Sequence, residues 1–72
     1  MANSSYKVIE VIGTSESSWE DAARNAVEEA SHSLHDMRVA EVKELDMTVS
    51  PEGKVAAYRA RVSLSFKYRH ED

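Results

Sequence analysis

The stretch "GTSESSWEDAA", Gly13–Ala23, separates two kinds of pattern in this sequence. The seven residues before it, "YKVIEVI", are rich in β-branched side chains and end at a glycine, which is typical of a strand. Inside the stretch, Ser17 and Glu20 have the spacing of a capping box, and Asp21 adds negative charge where a helix dipole favours it. The stretch therefore predicts a Gly-Thr-Ser turn that leaves a strand and leads directly into a helix.

A helix start that follows a glycine is also a place where phosphate binds, because free amides and the helix dipole favour anions there. A phosphate loop needs the pattern G-x-x-x-x-G-K-[S/T], whereas this stretch has one glycine and no lysine after it. Its carboxylates, Glu16, Glu20 and Asp21, would also repel a phosphate. We therefore expect a capped helix start here, with Trp19 packing the entry to the helix rather than stacking on a planar ligand.

The rest of the chain predicts one helix and two further strands. Apolar residues of helical period follow the opening stretch, and their small members would let the helix lie close to a sheet: Ala23, Ala26, Val27, Ala30, Leu34 and Met37. Residues 38–49 return to strand character, residues 50–53 ("SPEG") fit a type I turn, and residues 54–68 alternate in polarity. The prediction is an α+β fold of order β-α-β-β. Its last two strands form an antiparallel hairpin, and either of them could be the neighbour of the first strand.

Length and composition limit what this domain can be. We expect a single domain over residues 1–72, with residues 1–4 and 70–72 as flexible tails. The chain has no cysteine, so neither a disulfide nor a thiolate zinc site stabilises it, and oligomerisation is the remaining route for so small a domain. No apolar run is long enough to cross a membrane and no signal peptide is recognised, so we expect a cytoplasmic protein. The net charge of −4 argues against a nucleic-acid partner.

One helix covers only one face of a three-stranded sheet, and the predicted opposite face is unusual. It combines charged side chains with apolar ones, namely Glu10, Glu41, Lys43, Arg59, Arg61 and Lys67 with Val8, Ile12, Val39 and Leu45. Such a face is too apolar for a plain solvated surface and too charged for a core, and it usually meets another copy of the chain. We therefore expect the protein to assemble with itself through this face.

Catalytic signatures are absent from the sequence. Serines are plentiful, but no nucleophile elbow or other nucleophile motif occurs, so we expect a protein that is not an enzyme. His32, His35 and Asp36 lie close together in sequence, but a third metal ligand is not apparent, and both histidines lie near the predicted helix end, where imidazolium is favoured.

The acidic residues on neighbouring predicted strands offer a different chemistry. Glu10, Glu41, Glu44 and Asp46 carry carboxylates, and calcium prefers several oxygen ligands. No EF-hand spacing occurs, so a calcium site would have to be assembled from separate strands or subunits. The competing interpretation is that these carboxylates pair across strands with the neighbouring basic side chains, Lys43, Arg59 and Arg61.

Taken together, these residues resemble the dodecin family. The segment "YKVIEVIGTSESSWEDAARNAVEEAS" is similar to that family's first strand, Gly-Thr-Ser turn and helix start, and "VAEV" and "AAYRARVSLSFKY" are similar to its second and third strands. The resemblance implies a β-α-β-β subunit with a three-stranded antiparallel sheet partly wrapped around the helix. It also implies that twelve subunits form a hollow dodecamer, which stores or sequesters a small ligand without turning it over.

The resemblance also directs attention to the ligand. Flavin-binding members stack the flavin ring on a tryptophan of the second strand and hold its edge with a glutamine of the third, at positions that align with Val39 and Arg59 here. Valine lacks an aromatic plane, so stacking worth about 1–3 kcal/mol would be lost, although arginine still donates hydrogen bonds.

The details "SSWEDAA", "MRVAEV" and "ELDM" are more similar to the calcium dodecin branch. We therefore expect calcium as the ligand, with Glu10, Glu44 and Asp46 as candidate metal ligands. The alternatives are riboflavin or FMN in an altered pocket, and a structural cage without a dedicated ligand.

Overall fold

The computed structural model describes residues 5–68, and the chain there follows the predicted order of elements. Strand β1 (Ser5–Ser15) leads into helix α1 (Trp19–Ala30), which is followed by strand β2 (Met37–Val49) and strand β3 (Val55–Tyr68). The tails expected at residues 1–4 and 70–72 lie outside the described residues. Within residues 5–68, every helix is too short or too polar to cross a membrane.

The strands form one antiparallel sheet in the order β1-β3-β2. The central strand is β3, which pairs with β1 on one side and with β2 on the other. The neighbour of the first strand, which the sequence left open, is therefore β3. The predicted turn between β2 and β3 is present: the N–H of Gly53 donates to the carbonyl of Ser50 at 2.9 Å.

Residues Gly13 to Ser15 continue β1 instead of forming the predicted turn, pairing along β3 up to Tyr58. The glycine is needed for packing, because a Cβ at Gly13 would lie only 2.8 Å from the Cβ of Ala26 in the helix. The helix backbone therefore lies directly against the strand at this point. The prediction of a turn at Gly13 was wrong because a glycine required for close approach has the same sequence signature as a glycine required for a turn.

The helix cap also lies one residue beyond its predicted position. The N-cap is Ser18, whose Oγ accepts a hydrogen bond from the N–H of Asp21 at 3.0 Å. The N–H of Ser17 donates instead to Ser15 Oγ at 2.9 Å, and Ser15 Oγ donates to Asp21 Oδ2 at 2.8 Å. The predicted capping box of Ser17 and Glu20 is therefore not formed, because the end of β1 brings the buried Ser15 to the helix start.

The core consists of small side chains between the helix and the middle of the sheet. Among the described residues, five hydrophobic side chains are buried: Ala22, Ala26, Ala60, Val62 and Leu64. The close approach predicted from the helical alanines is confirmed, as is the alternation that places Ala60, Val62 and Leu64 on one face of β3. The helix ends at Ala30, so Leu34 and Met37 contact this core from beyond the helix rather than on its predicted stripe.

The sheet is much longer than the helix that covers it. A helix of 12 residues spans about 18 Å and a strand of 14 residues spans about 46 Å, so both ends of the sheet extend beyond the helix. The radius of gyration is 15.2 Å, compared with about 11 Å for a compact domain of this length. Large hydrophobic side chains are consequently exposed on both faces: Tyr6, Val8, Ile9, Ile12, Val39, Val42, Leu45, Met47, Val49 and Val55.

Candidate functional site

The face of the sheet that points away from the helix carries most of the candidate residues, and we call it the open face. Ala60, Val62 and Leu64 are buried beneath the helix, so the alternate residues of β3 and their direct cross-strand partners lie on the opposite side. The open face contains Tyr6, Val8, Glu10 and Ile12 of β1, Val39, Glu41, Glu44 and Asp46 of β2, and Arg59, Arg61, Ser63, Ser65 and Lys67 of β3.

A register shift in β2 determines which of its side chains reach the open face. The shift lies between Val42 and Glu44 and leaves Lys43 as an extra residue, as in a β-bulge. Beyond the bulge, Leu45 pairs with Ala60 and therefore lies on the helix side. The prediction that Leu45 belongs to the open face was wrong, because strict alternation counts every residue and a bulge inserts one without a sequence signal.

The bulge brings the carboxylate of Glu44 to the same face as that of Glu10, on the opposite edge of the sheet. Arg61 of the central strand lies between them: its Nε is 3.3 Å from Glu44 Oε1, and its Nη1 is 3.7 Å from Glu10 Oε1. The guanidinium of Arg61 therefore bridges carboxylates from both outer strands. A separate ion pair within β2 joins Lys43 Nζ to Glu41 Oε1 at 3.9 Å.

Asp46 and Arg59 form the best aligned ion pair of the open face. Arg59 Nε donates to Asp46 Oδ1 at 2.7 Å and Nη2 donates to Oδ2 at 3.0 Å, so two parallel hydrogen bonds engage both carboxylate oxygens. The hydrogen bonds and positive charge of Arg59 lower the pKa of Asp46 below its usual value, and the same bonds raise the pKa of Arg59. Asp46 is therefore held in its charged form.

The backbone of Asp46 is held from the helix side by Trp19. The indole Nε1 donates to the carbonyl oxygen of Asp46 at 3.0 Å. The indole ring also meets Tyr58 edge to face, with centroids 5.1 Å apart and an angle of 70° between the planes. The prediction that Trp19 packs the helix entry is confirmed, and its partners are residues of both hairpin strands.

The cross-strand pairing predicted for the acidic residues is confirmed, since Glu10, Glu44 and Asp46 each contact an arginine. Their oxygen chemistry suits calcium, and all three lie on the open face. However, within residues 5–68 no three acidic or histidine side chains lie close enough together to hold a metal ion. A calcium site that uses these carboxylates would therefore need oxygen ligands from outside a single chain.

The two positions that align with the flavin pocket are far apart in one chain. Val39 pairs with Ser65 and is 59% exposed, whereas Arg59 lies six residues away from that point along β3, or about 20 Å. Both positions belong to the open face, but they would act on one ligand only if different copies of the chain supplied them. The aromatic pair of Trp19 and Tyr58 lies on the helix side and does not replace a ring at Val39.

The two histidines that the sequence analysis weighed as metal ligands lie after the C-terminal end of the helix. His32 and His35 are exposed in the connection between α1 and β2, next to Asp36, which has a φ of 62°. Within residues 5–68 these side chains do not belong to a group of three that could hold a metal ion. Helix α1 ends before them, so the expected favourable position in its last turn is not formed.

A cleft of about 540 Å³ lies between the helix and residues 11–14 of β1. Its lining includes Val11, Gly13, Asn25, Glu29 and Ser33, and none of the candidate ligand residues contributes to it. This cleft was not predicted from the sequence, although the small residues that let the helix approach β1 also shape it. Asn25 and Thr14, which both line the cleft, are joined by a hydrogen bond in which Asn25 Nδ2 donates to the carbonyl of Thr14 at 3.0 Å.

Comparisons with known proteins agree with this architecture. The family model of dodecin matches residues 5–69. Calcium dodecin from Mycobacterium tuberculosis is 53% identical over 64 residues, which cover 89% of each chain. The crystal structure of that organism's calcium chelating immunodominant antigen, calcium dodecin, has a TM-score of 0.80 at 50% identity and covers 94% of this chain and 96% of its own. Dodecin from Streptomyces coelicolor has a TM-score of 0.89 at 34% identity and covers 99% of this chain and 100% of its own.

Proposed function

This chain belongs to the dodecin family, and we propose that it is a calcium-binding homo-oligomer without catalytic activity. The observation that carries the proposal is the identity to a calcium dodecin, which is 53% by sequence and 50% in the structural comparison, where the Streptomyces coelicolor dodecin has 34%. The described surface is compatible with this function, because the open face collects carboxylates from both outer strands. We propose Glu10, Glu44 and Asp46 as calcium ligands.

We propose that the assembly is a dodecamer, as the family name implies for its members. The core of one chain contains only five buried hydrophobic side chains among the described residues, whereas ten large ones are exposed. Without disulfides, so small a core rarely stabilises a domain alone. Further copies of the chain would cover the open face and the ends of the sheet that the helix leaves uncovered.

We further propose that each calcium site is completed between copies. Calcium takes about six to eight oxygen ligands at about 2.3–2.6 Å, in flexible geometry. The three candidate carboxylates supply up to six oxygens, but the central strand, which carries Arg59 and Arg61, separates Glu10 on β1 from Glu44 and Asp46 on β2. Carboxylate or carbonyl oxygens of a neighbouring copy would therefore have to join one or two of these side chains.

Calcium titration of chelator-treated protein by calorimetry tests this proposal. We expect saturable heat in the wild type, a higher melting temperature with calcium than with chelator, and weaker binding in Asp46→Asn. Glu52→Gln serves as the control, because Glu52 lies in the exposed turn between β2 and β3. No heat at millimolar calcium in correctly assembled protein would contradict the calcium proposal, and a stable monomer in a mass measurement would contradict the assembly.

Flavin binding is the competing function, and the same preparation tests it. We rank it second because Val39 offers no aromatic plane for stacking, while Arg59 is engaged by Asp46. Riboflavin or FMN fluorescence that is quenched at micromolar or lower protein concentration would assign the site to flavin. If neither calcium nor flavin binds the intact assembly, the third alternative, a structural cage without a dedicated ligand, is favoured.

A further inference from the structure

We propose that Arg59 sets the calcium affinity of the open face, because it occupies both oxygens of Asp46 and must leave before a cation binds there. This inference rests on the proposed function and assigns a role to a residue that is not itself a metal ligand. Arg59 would act as a built-in competitor, so that calcium binding is an exchange of one cation for another.

The three candidate ligands differ in how completely an arginine occupies them. Asp46 has both oxygens in hydrogen bonds to Arg59, at 2.7 and 3.0 Å. Glu44 and Glu10 share the single guanidinium of Arg61, with closest contacts of 3.3 and 3.7 Å. The competition that a cation meets is therefore strongest at Asp46.

Within a single chain the ion pair is not buried, because the side chains of Arg59 and Asp46 are 35% and 49% exposed. The fold of one subunit therefore does not lock the guanidinium in place, and its exchange for a cation leaves no charge buried by that subunit. Removing the guanidinium would free both oxygens and would also remove a positive charge that repels an approaching divalent cation.

Trp19 provides an internal reporter of the exchange. Its indole Nε1 donates to the carbonyl of the same Asp46, 3.0 Å away. A change in the position of Asp46 when Arg59 leaves would therefore alter the environment of the chain's single tryptophan. Tryptophan fluorescence therefore reports the displacement of Arg59 independently of the calcium affinity measured by calorimetry.

The test is a calorimetric titration of calcium chloride into chelator-treated wild type, Arg59→Gln, Arg59→Lys and Lys54→Gln. We expect Arg59→Gln to bind calcium severalfold to about tenfold more tightly than the wild type, since it loses both the competing fork and the charge. Arg59→Lys keeps the charge but loses the two-pronged geometry, so its gain should be smaller. Lys54→Gln removes one positive charge outside the strands and should leave the affinity unchanged.

The fluorescence of Trp19 should change with calcium in the wild type, where Arg59 is displaced, and change less in Arg59→Gln, where Asp46 is free from the start. Equal or weaker calcium binding in a correctly assembled Arg59→Gln protein would overturn the inference while leaving calcium binding itself intact. An equal gain in Lys54→Gln would also overturn it, because the effect would then be one of general charge.

Three further outcomes are decisive. If Arg59→Gln does not assemble, as judged by circular dichroism and mass, Arg59→Lys carries the test, and a lack of any gain in that variant overturns the inference. If the wild type and all variants fail to bind calcium, the proposed function fails and this inference fails with it. Binding by Arg59→Gln alone would support the inference most directly.

Discussion

The indole N–H of Trp19 donates to the backbone carbonyl of Asp46, 27 residues later in the chain, at 3.0 Å. This bond ties the first turn of the helix to β2, while the carboxylate of Asp46 pairs with Arg59 on the open face. Asp46 is thus held through its backbone from the helix and through its side chain from β3. The position of the helix and the arrangement of the open face are therefore linked through a single residue.

Replacing Trp19 by phenylalanine should reveal the contribution of this bond. An aromatic ring remains against Tyr58, but the donor to Asp46 is lost, so we expect a decrease of about 0.5–1.5 kcal/mol in the free energy of unfolding. Chemical denaturation at equal protein concentration measures the change. Tyr58→Phe, which keeps its ring, is the control and should be nearly neutral. Unchanged stability of Trp19→Phe would show that the bond contributes nothing.

Gly13→Ala should be strongly destabilising, because the added methyl group would meet the helix backbone at Ala22 and the side chain of Ala26. Overpacking of this kind costs about 1–3 kcal/mol, and here the obstacle includes backbone that has little room to move. Gly53→Ala is the comparison: nothing lies within 4 Å, so only its φ of +81° opposes the substitution, at about 1–2 kcal/mol. Thermal unfolding should rank Gly13→Ala as the less stable of the two.

Ser15→Ala should destabilise the protein more than Ser17→Ala does. Ser15 Oγ accepts the N–H groups of Ser17 and Ser18 and donates to Asp21, so its loss leaves three polar groups at the helix start without this partner. We expect about 1–2 kcal/mol for Ser15→Ala, as for other helix-capping side chains, and a near-neutral effect for Ser17→Ala. The difference in melting temperature decides this. If Ser17→Ala were the more destabilising of the two, the result would support the Ser17–Glu20 capping box predicted from the sequence.

Acid should weaken the open face through Asp46. Because Arg59 lowers the pKa of Asp46 below its value of 3.8 in an unfolded chain, the folded protein binds this proton less readily than the unfolded one. The stabilisation is thus present above about pH 4 and is lost as the pH falls through the lowered value. Melting temperatures between pH 2 and 5 should fall less steeply for Asp46→Asn than for the wild type. If the melting temperatures of both proteins fell equally steeply with pH, the Asp46–Arg59 pair would not be the source of the acid sensitivity.

The order of elements, the hairpin and the buried face of β3 followed from the sequence, and so did the relationship to dodecins. These features depend on local patterns: helical spacing of alanines, alternation along residues 54–68, and a Pro-Glu-Gly turn. The pairing of acidic residues with arginines was also expected from composition and strand placement. Such features can be predicted from the sequence because each one depends on residues that are close together along the chain.

Only the tertiary structure decided the remaining points, because they depend on residues that are distant in sequence. The neighbour of β1 depends on where the helix crosses the sheet, and the role of Gly13 depends on the approach of Ala26. The bulge at Lys43 shifts everything after it by one position, which moves Leu45 to the helix side and Glu44 and Asp46 to the open face. No residue pattern marks the position of a bulge, so it could not be predicted from the sequence. The sequence therefore identified the carboxylates, while the strand register determined which arginine each one meets.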